Sequence, residues 1–246
     1  MQIPTLETHP LSKIHLIGGE KGGVGKSMVS RLLAQYFIDH QLAFVGFDTD
    51  RSHGALKRFY ADYASPVLVD RYEALDQIIE SAAEQSGRRV LVDLAAQTHE
   101  PLVKWMDDSG VLDMADMSGF ALHYWHVMDT GRDSVDLLSR LLDRFGQRVR
   151  HVLVLNQLRG DDFSLLGKSG ELARAQSLGA TVLTLKRLHE AVVHKIDAGS
   201  SSFWAAKSGS VGPGAGSEGT ALGMMERQRL KMWLNHAFGE IAAVEP

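Results

Sequence analysis

The sequence predicts an α/β fold, built as a doubly wound, mainly parallel sheet of about seven strands with helices on both faces. Short apolar runs rich in β-branched residues recur along the 246 residues, and most are separated by segments whose apolar residues recur with helical spacing. A strand that is buried on both faces is apolar throughout, so alternation of such runs with helices indicates a parallel sheet covered on both sides.

A single domain spanning 1–246 is the predicted organisation, because 44% hydrophobic and 23% charged residues suit one large core. The chain has no cysteine, which excludes disulfides, thiolate metal sites and iron–sulfur clusters and fits a reducing compartment. Its net charge of −4 gives no general preference for nucleic acid or an anionic membrane. With no apolar run near the roughly 20 residues that span a bilayer and no secretory signal at the start, we expect a soluble cytoplasmic protein.

The predicted strands are the apolar runs at 13–18, 42–48, 66–70, 88–95, 120–129, 151–157 and 180–185. Helices are predicted at 27–40, 72–84 and 133–146. In the first helix, one face carries apolar residues at i, i+3, i+4, i+7 and i+8, namely Val29, Leu32, Leu33, Tyr36 and Phe37. In a doubly wound sheet the ligand site lies at the carboxyl ends of the strands, so residues directly after strands are the candidates for function.

Two features are predicted near the end of the chain. The segment 207–219, "KSGSVGPGAGSEG", is rich in Gly and Ser, which predicts a flexible surface loop, or alternatively a lid that orders when a partner or nucleotide binds. The segment 224–241 is predicted to be an amphipathic helix, with an apolar stripe of Leu230, Trp233, Leu234, Ala237, Phe238 and Ile241. Such a helix either docks on its own domain or binds a membrane surface.

A glycine-rich loop, "KGGVGKS" at 21–27, lies directly after the first predicted strand and before the first helix. In this position glycines let successive backbone N–H groups point at phosphate oxygens, and the helix N-terminus adds a partial positive charge. Lys26 would reach the β- and γ-phosphates, and the Ser27 hydroxyl would ligate Mg²⁺. The predicted nucleotide contacts are Gly22, Gly23, Val24, Gly25, Lys26, Ser27 and Met28. A strict phosphate loop would have glycine at position 20, where this chain has Glu20, and the second lysine, Lys21, is an addition.

The segment "KGGVGKS" resembles the deviant Walker A motif of the ParA/MinD group of P-loop ATPases, in which the first Walker glycine is not required and the early lysine belongs to the motif. The resemblance implies a P-loop NTPase fold that uses ATP and Mg²⁺. It also implies that Lys21 reaches across a face-to-face dimer to the phosphates bound by the other subunit. Dimerisation would then depend on ATP.

Two further stretches extend the resemblance. "VGFDTD" ends a strand with Asp48 and Asp50, which match the D-x-D motif of the group. The resemblance implies that Asp50 orients or activates the attacking water and that Asp48 acts near the Mg²⁺ shell, in keeping with phosphoryl transfer as a reaction of positioning and charge stabilisation. "RRVLVDLAAQ" resembles a Walker B strand and places the Asp93 carboxylate where Mg²⁺ would bind. The group usually continues with a small residue and prolines, whereas "LAAQ" follows here.

The base of the nucleotide is predicted to be adenine. "VLVLNQLRGDD" ends a strand with Asn156, which matches the asparagine that contacts adenine in the ParA/MinD group. A guanine-reading N-K-x-D motif would need aspartate at 159, and the chain has Arg159 there.

The predicted function is therefore a ParA-like ATPase switch with Lys21, Lys26 and Asp50 as catalytic residues and Ser27, Asp48 and Asp93 as metal ligands. It would form a nucleotide-dependent homodimer, hydrolyse ATP slowly under stimulation by a protein partner, and position a DNA or protein cargo. Basic clusters such as "LKRLHEAVVHK" could bind DNA non-specifically through counterion release. The alternatives are a dimerisation module with negligible hydrolysis and a MinD-like membrane-surface ATPase, although the composition does not favour a membrane. Arg51 and Ser52 replace the Pro and Gln of partition proteins, which indicates a divergent branch, of the kind a mobile element could encode.

Overall fold

The computed structural model of the chain describes residues 11–19, 21–51, 54–210 and 220–246. Within them, seven strands form one parallel sheet in the order β3-β2-β4-β1-β5-β6-β7. The strands are β1 (Ser12–Gly18), β2 (Phe44–Asp48), β3 (Ala64–Pro66), β4 (Arg89–Asp93), β5 (Phe120–Met128), β6 (Arg150–Asn156) and β7 (Thr181–Leu185). The predicted α/β fold with about seven mainly parallel strands is confirmed.

Helices connect the strands. They are α1 (Lys26–Asp39), α2 (Ala55–Phe59), α3 (Tyr72–Glu84), α4 (His99–Asp108), α5 (Val111–Ser118), α6 (Arg132–Phe145), α7 (Ser164–Ser169), α8 (Glu171–Ser177), α9 (Glu190–Ala198), α10 (Phe203–Ser208) and α11 (Met224–Ala242). The three internal helices predicted from apolar spacing correspond to α1, α3 and α6, which begin and end within one residue of the prediction.

The core lies on both faces of the sheet. Strand β5 illustrates this, because Trp125 and Val127 pack into the layer formed with α1, α9, α10 and α11, while Leu122 and Tyr124 pack into the layer formed with α3, α4 and α5. Consecutive side chains of a strand point to opposite faces, so a strand covered on both sides must be apolar at nearly every position. This explains the continuous apolar runs of the sequence.

The predicted strand at 66–70 is misplaced, since the observed strand β3 covers Ala64–Pro66. This strand is at the edge of the sheet and pairs with β2, which ends at Asp48. The Asp48 carbonyl accepts the Val67 N–H at 2.9 Å, and no β2 backbone extends beyond it to pair with later residues. The apolar pattern of 66–70 reflects burial of Val67 beneath the sheet edge rather than a strand.

Helix α11 docks on the domain, which is one of the two arrangements that its amphipathic pattern allows. Leu230, Leu234 and Ile241 are buried against the sheet, and the Trp233 Nε1 donates a hydrogen bond to the Lys186 carbonyl at 2.7 Å. Among the helices in the described part of the chain, none combines the length and apolar composition that crossing a bilayer requires. Helix α10 continues to Ser208 and so includes the first two residues of the predicted loop 207–219, of which 211–219 lie outside the described residues.

Candidate nucleotide-binding site

The loop between β1 and α1 turns sharply because two of its glycines adopt left-handed backbone conformations. Gly23 has φ 73° and Gly25, the N-cap of α1, has φ 99°. Residues with a Cβ rarely adopt these angles. No side chain of the described residues caps α1, so the first N–H groups of the helix stay available for an anion.

The end of β6 presses on this loop. A Cβ added at Gly25 would lie 2.2 Å from Asn156 Nδ2, and one at Gly23 would lie 2.6 Å from Arg159 Nη2. Glycine is therefore required at position 25 for space as well as for backbone conformation, because two hydrogen bonds hold Asn156 in place. At position 23 the half-exposed Arg159 side chain can move aside, and the positive φ is the reason for glycine. The loop is thus packed against Asn156 and Arg159.

Lys26, the first residue of α1, is buried, with 8% of its surface exposed. Its Nζ donates a hydrogen bond to the Lys21 carbonyl at 3.2 Å, across the mouth of the loop. Burial lowers the pKa of Lys26, and the nearby Asp93 carboxylate acts in the opposite direction. A desolvated ammonium group beside free helix N–H groups is a strong attraction for phosphate.

Asp93, at the end of β4, has one unsatisfied carboxylate oxygen. Among the described residues nothing forms a hydrogen bond with its buried Oδ1. Burial, followed by repulsion from Asp48, raises the pKa of Asp93 to about 7, although the Ser30 and Ser27 hydroxyls and Lys26 oppose the shift. A buried carboxylate oxygen with no partner, beside a serine hydroxyl, has the chemistry of an Mg²⁺ ligand pair.

Asp48, at the end of β2, is paired in register with Asp93 but its own oxygens have partners. Oδ1 accepts the Asp50 N–H and Oδ2 accepts the Lys57 N–H, each at 3.0 Å. Burial raises the pKa of Asp48, while these backbone N–H groups lower it. The carboxylate thus anchors the connection from β2 to α2, and its predicted role near the metal shell stays a prediction.

A cleft of about 390 Å³ brings most of the predicted site residues together. Its lining includes Gly22, Gly23, Gly25, Lys26, Ser27, Met28, Asp50, Asp93 and the segment 94–96. Val24 is different, since its side chain is 1% exposed and belongs to the hydrophobic core. Val24 therefore contributes only its backbone to the phosphate loop.

Asn156 lies beside the loop with both of its polar atoms engaged. Its Nδ2 donates to the Val24 carbonyl at 2.7 Å, and its Oδ1 accepts the Leu158 N–H at 3.2 Å. A second pocket of about 400 Å³ adjoins it and is lined by Ser27, Met28, Leu158, Leu185, Leu188, Trp233 and several basic residues. The pocket therefore combines apolar and basic side chains, and it starts at the N-terminus of α1, where Ser27 and Met28 lie.

Sequence reasoning missed two residues near this site. Arg31 of α1 lines the second pocket and is 4% exposed, with Nη1 2.8 Å from Asp197 Oδ1 and its guanidinium carbon 3.5 Å from the centroid of the Phe59 ring. Asp129 follows β5, and one of its oxygens lies 3.2 Å from Lys21 Nζ. The apolar spacing of the first helix gave no signal for Arg31, because Arg31 lies on the side of α1 opposite to that apolar face and is nevertheless buried. The partners of Lys21 left no signal either.

The parallel sheet, the glycine loop between β1 and α1, the buried lysine and the carboxylate at the end of a neighbouring strand together define a P-loop NTPase fold. This is the class that the loop motif predicts.

Comparison with known proteins agrees with this class. No family model matches the chain. It is 24% identical over 142 residues to the protein MobD of Acidithiobacillus ferrooxidans, covering 57% of this chain and 62% of MobD. It is 26% identical over 158 residues to a protein TraL of Escherichia coli, covering 61% of this chain and 65% of TraL. The matched region is thus less than two thirds of the length of either relative.

The fold is similar to that of the MinD cell division protein of Aquifex aeolicus. The two structures agree with a TM-score of 0.52 at 11% sequence identity, over 94% of this chain and 97% of the MinD chain. The predicted resemblance to the ParA/MinD group of P-loop ATPases is confirmed at the level of the fold.

Proposed function

We propose that this chain is a ParA-like ATPase switch. It binds Mg²⁺–ATP, forms a homodimer with two nucleotides between the subunits, and hydrolyses ATP slowly to position or segregate a DNA or protein cargo. A protein partner would stimulate the hydrolysis. The observation that carries the proposal is the cleft in which the phosphate loop, Asp50 and Asp93 converge around the buried Lys26.

Phosphate binding is the best supported step. The N–H groups of the loop and of the α1 terminus would donate to phosphate oxygens, and Lys26 would exchange the Lys21 carbonyl for a phosphate. Because Lys26 is largely desolvated, its charge acts through a low dielectric and contributes more than an exposed lysine would.

The residues at the cleft fit a bound magnesium ion. Ser27 and Asp93 would hold it, and the ion supplies charge neutralisation of the phosphates when bound. In the described residues no three His, Asp or Glu side chains converge on one point. This supports an ion that is bound together with the nucleotide and completes its coordination with phosphate and water oxygens.

Hydrolysis is proposed to use Asp50, which lines the same cleft as the loop. A carboxylate in this place would position a water molecule for attack on the γ-phosphate. The hydrogen bond from the Asp50 N–H to Asp48 fixes the backbone at this residue. The adenine base would occupy the second pocket, where Asn156 acts by holding the loop and Leu158 in place.

Measurements of ATP binding and phosphate release on the Asp50→Ala variant test this proposal. Asp62→Ala is the matched control, because Asp62 is exposed in the turn between α2 and β3. We expect Asp50→Ala to bind ATP like the unchanged chain but to release phosphate at least tenfold more slowly. Asp62→Ala should match the unchanged chain in both measurements. Equal phosphate release by Asp50→Ala and the unchanged chain would contradict the role of Asp50.

A dimerisation module with negligible hydrolysis is the second candidate, and one observation favours it. The Ala95 N–H, which follows Asp93 by two residues, donates to the Thr49 hydroxyl at 2.7 Å, and Leu94 is buried in the core. These groups are therefore engaged with the protein rather than directed at a γ-phosphate. An unchanged chain that doubles its mass with Mg²⁺–ATP, yet releases no phosphate above background, would establish this candidate instead. The membrane-surface alternative has less support, since every residue of the apolar stripe of α11 except the partly buried Phe238 is buried.

A further inference from the structure

The side chain of Lys21 is bound to its own chain. Its Nζ lies 3.2 Å from Asp129 Oδ2, 3.4 Å from Asp129 Oδ1 and 3.5 Å from Asp133 Oδ2. The Lys21 side chain is 26% exposed and that of Asp129 is 7% exposed. An ammonium group between two carboxylates, one of them buried, is held in a definite direction rather than free in solvent.

Asp129 is well prepared to hold a cation. Its Oδ1 accepts the Ser134 hydroxyl at 2.7 Å and the Gly131 N–H at 3.0 Å. Burial raises the pKa of Asp129, but these hydrogen bonds and the Lys21 ammonium outweigh it and keep the pKa below its ordinary value. The carboxylate is therefore ionised and fixed at neutral pH.

The turn that carries Asp129 leaves room for Lys21 and little more. A Cβ added at Gly131 would lie 3.0 Å from Lys21 Nζ and 3.1 Å from Asp129 Oδ1. Gly131 has φ −81°, which any residue can adopt. Its lack of a side chain is thus explained by the approach of Lys21 rather than by backbone conformation.

We propose that Asp129 is a positioning residue which, together with Asp133, holds Lys21 on its own chain until a nucleotide-bound second subunit competes for it. We call Lys21, Asp129 and Asp133 the lysine latch. The proposal rests on the proposed function, in which Lys21 crosses to the other subunit. It adds that the carboxylates of the latch set how much nucleotide is needed before Lys21 can leave.

The latch can open without leaving a buried charge uncompensated. Asp129 keeps its bonds to Ser134 and Gly131, and its Oδ2 lies 3.6 Å from Arg159 Nη1. Removing one partner of a buried ion pair is costly when nothing replaces it. Here the guanidinium of Arg159 still lies beside the Asp129 carboxylate after Lys21 has left. The cost of separating Lys21 from Asp129 is therefore small enough for the departure to be reversible.

Opening also connects to phosphate binding through the backbone. The Lys21 carbonyl is the acceptor of the Lys26 Nζ in the nucleotide-free chain. When Lys26 turns to a phosphate, the carbonyl of Lys21 loses its partner and the first turn of the loop is released. Phosphate binding thereby frees the backbone of Lys21, and the second subunit then competes for its side chain.

The first experiment measures the rate at which an amine-reactive reagent labels Lys21 in the nucleotide-free chain, by mass spectrometry. Asp133→Asn removes an exposed carboxylate and should raise the rate about two- to fivefold, and Asp129→Asn should raise it further. Asp136→Asn is the matched control, because Asp136 lies on the same helix and pairs with Arg132 at 3.7 Å. Its labelling rate at Lys21 should equal that of the unchanged chain.

The second experiment measures solution mass against Mg²⁺–ATP concentration for the same variants. Asp133→Asn should dimerise at a severalfold lower concentration than the unchanged chain and Asp136→Asn. Because Asp129→Asn removes a buried group, its thermal unfolding is measured alongside, and Asp133→Asn decides the matter if Asp129→Asn does not fold.

Different results would contradict the lysine latch and the proposed function. Equal labelling of Lys21 in the unchanged chain and in Asp133→Asn, or an equal rise in Asp136→Asn, would overturn the latch. A chain that never doubles with nucleotide, while Asp133→Asn still accelerates labelling, would overturn the proposed function and leave the latch as a contact within the chain.

Discussion

Asn156 Nδ2 donates a 2.7 Å hydrogen bond to the carbonyl of Val24, so the end of β6 holds the phosphate loop by its backbone. The bond links residues 132 positions apart in sequence. The residue that matches the base-contacting asparagine of the ParA/MinD pattern is thus bound to the backbone of the phosphate loop.

Replacing Asn156 therefore tests a loop-holding role. We expect Asn156→Ala to reduce stability by about 1–3 kcal/mol, because the buried Val24 carbonyl loses its partner. ATP and inorganic triphosphate should lose affinity to a similar extent. Equilibrium binding of the two ligands decides this, since loss for ATP alone would point to base contact.

Gly25 tolerates no side chain. Gly25→Ala combines a φ of 99° with a Cβ that would lie 2.2 Å from Asn156 Nδ2. We expect ATP affinity to fall at least tenfold, measured by titration calorimetry. Gly22→Ala serves as the matched control, because a Cβ there meets none of the described atoms within 4 Å; an equal loss in both variants would contradict the steric explanation.

We predict that the Asp93 carboxylate lowers the free energy of unfolding at neutral pH and is needed for Mg²⁺ binding. Its pKa of about 7 means that the folded chain resists ionisation of this carboxyl, so stability from this group is present at low pH and is lost between about pH 4 and pH 7. Asp93→Asn should therefore be more stable than the unchanged chain at pH 8 in the absence of nucleotide. Its ATP affinity should no longer respond to Mg²⁺. Denaturant unfolding and binding titrations measure the two effects, and equal stability at pH 8 would count against the strained carboxylate.

Buried histidines are expected to make the chain sensitive to acid. The rings of His15 and His123 lie 4.9 Å apart on paired strands, and Trp125 Nε1 donates to His15 Nδ1. Burial, with the charges of Arg150 and Lys13, lowers the pKa of His123 to about 3, and burial lowers that of His15 as well. Both stay neutral in the fold, so their stabilising contribution is present above about pH 6.5 and is lost as the pH falls toward 4.

Unfolding at a series of pH values tests this sensitivity. Each such histidine should contribute about 1.4 kcal/mol of destabilisation per pH unit below 6.5. His123→Gln should reduce the slope by about one proton. An identical slope in His123→Gln would show that other groups cause the acid response.

Arg31 offers a test of an ion pair between a buried guanidinium and a half-exposed carboxylate. We expect Asp197→Ala to destabilise the chain by about 1 kcal/mol, because it leaves the guanidinium between the rings of Phe59 and Phe203 without a carboxylate. Arg31→Met should cost less, since the same space would be filled without a charge to desolvate. Thermal unfolding of the two variants compares them, and a larger loss in Arg31→Met would contradict this reasoning.

The sequence predicted elements whose pattern is long and local. The apolar spacing of 72–84 matched α3 to the residue, and the glycine loop was placed correctly between β1 and α1. Helices such as α2 and α7 are five and six residues long, too short for a 3.6-residue period to be recognised. The edge strand β3 was misplaced because its limits depend on where β2 ends.

The sequence did not predict which side chains contact each other across the fold. Lys21 and Asp129 are separated by 108 residues, and nothing in either segment identifies the other. Asp48 likewise matched a motif, yet its hydrogen bonds to the Asp50 and Lys57 N–H groups depend on how the chain turns after β2. Which groups a residue faces is decided by packing, and one sequence does not contain that information in local form.

In the parallel sheet the carboxyl ends of β2, β4, β1, β5 and β6 lie side by side. The turns at the amino ends of the strands carry none of the cleft residues. That division suits the attachment of a reporter. The turn after α6, where Gly146 has φ 51° and Gln147 is exposed, would accept an inserted fluorescent tag that leaves the cleft open. Tags placed after β2 or β6 would instead cover it, so live imaging of this chain should begin from the amino ends of its strands.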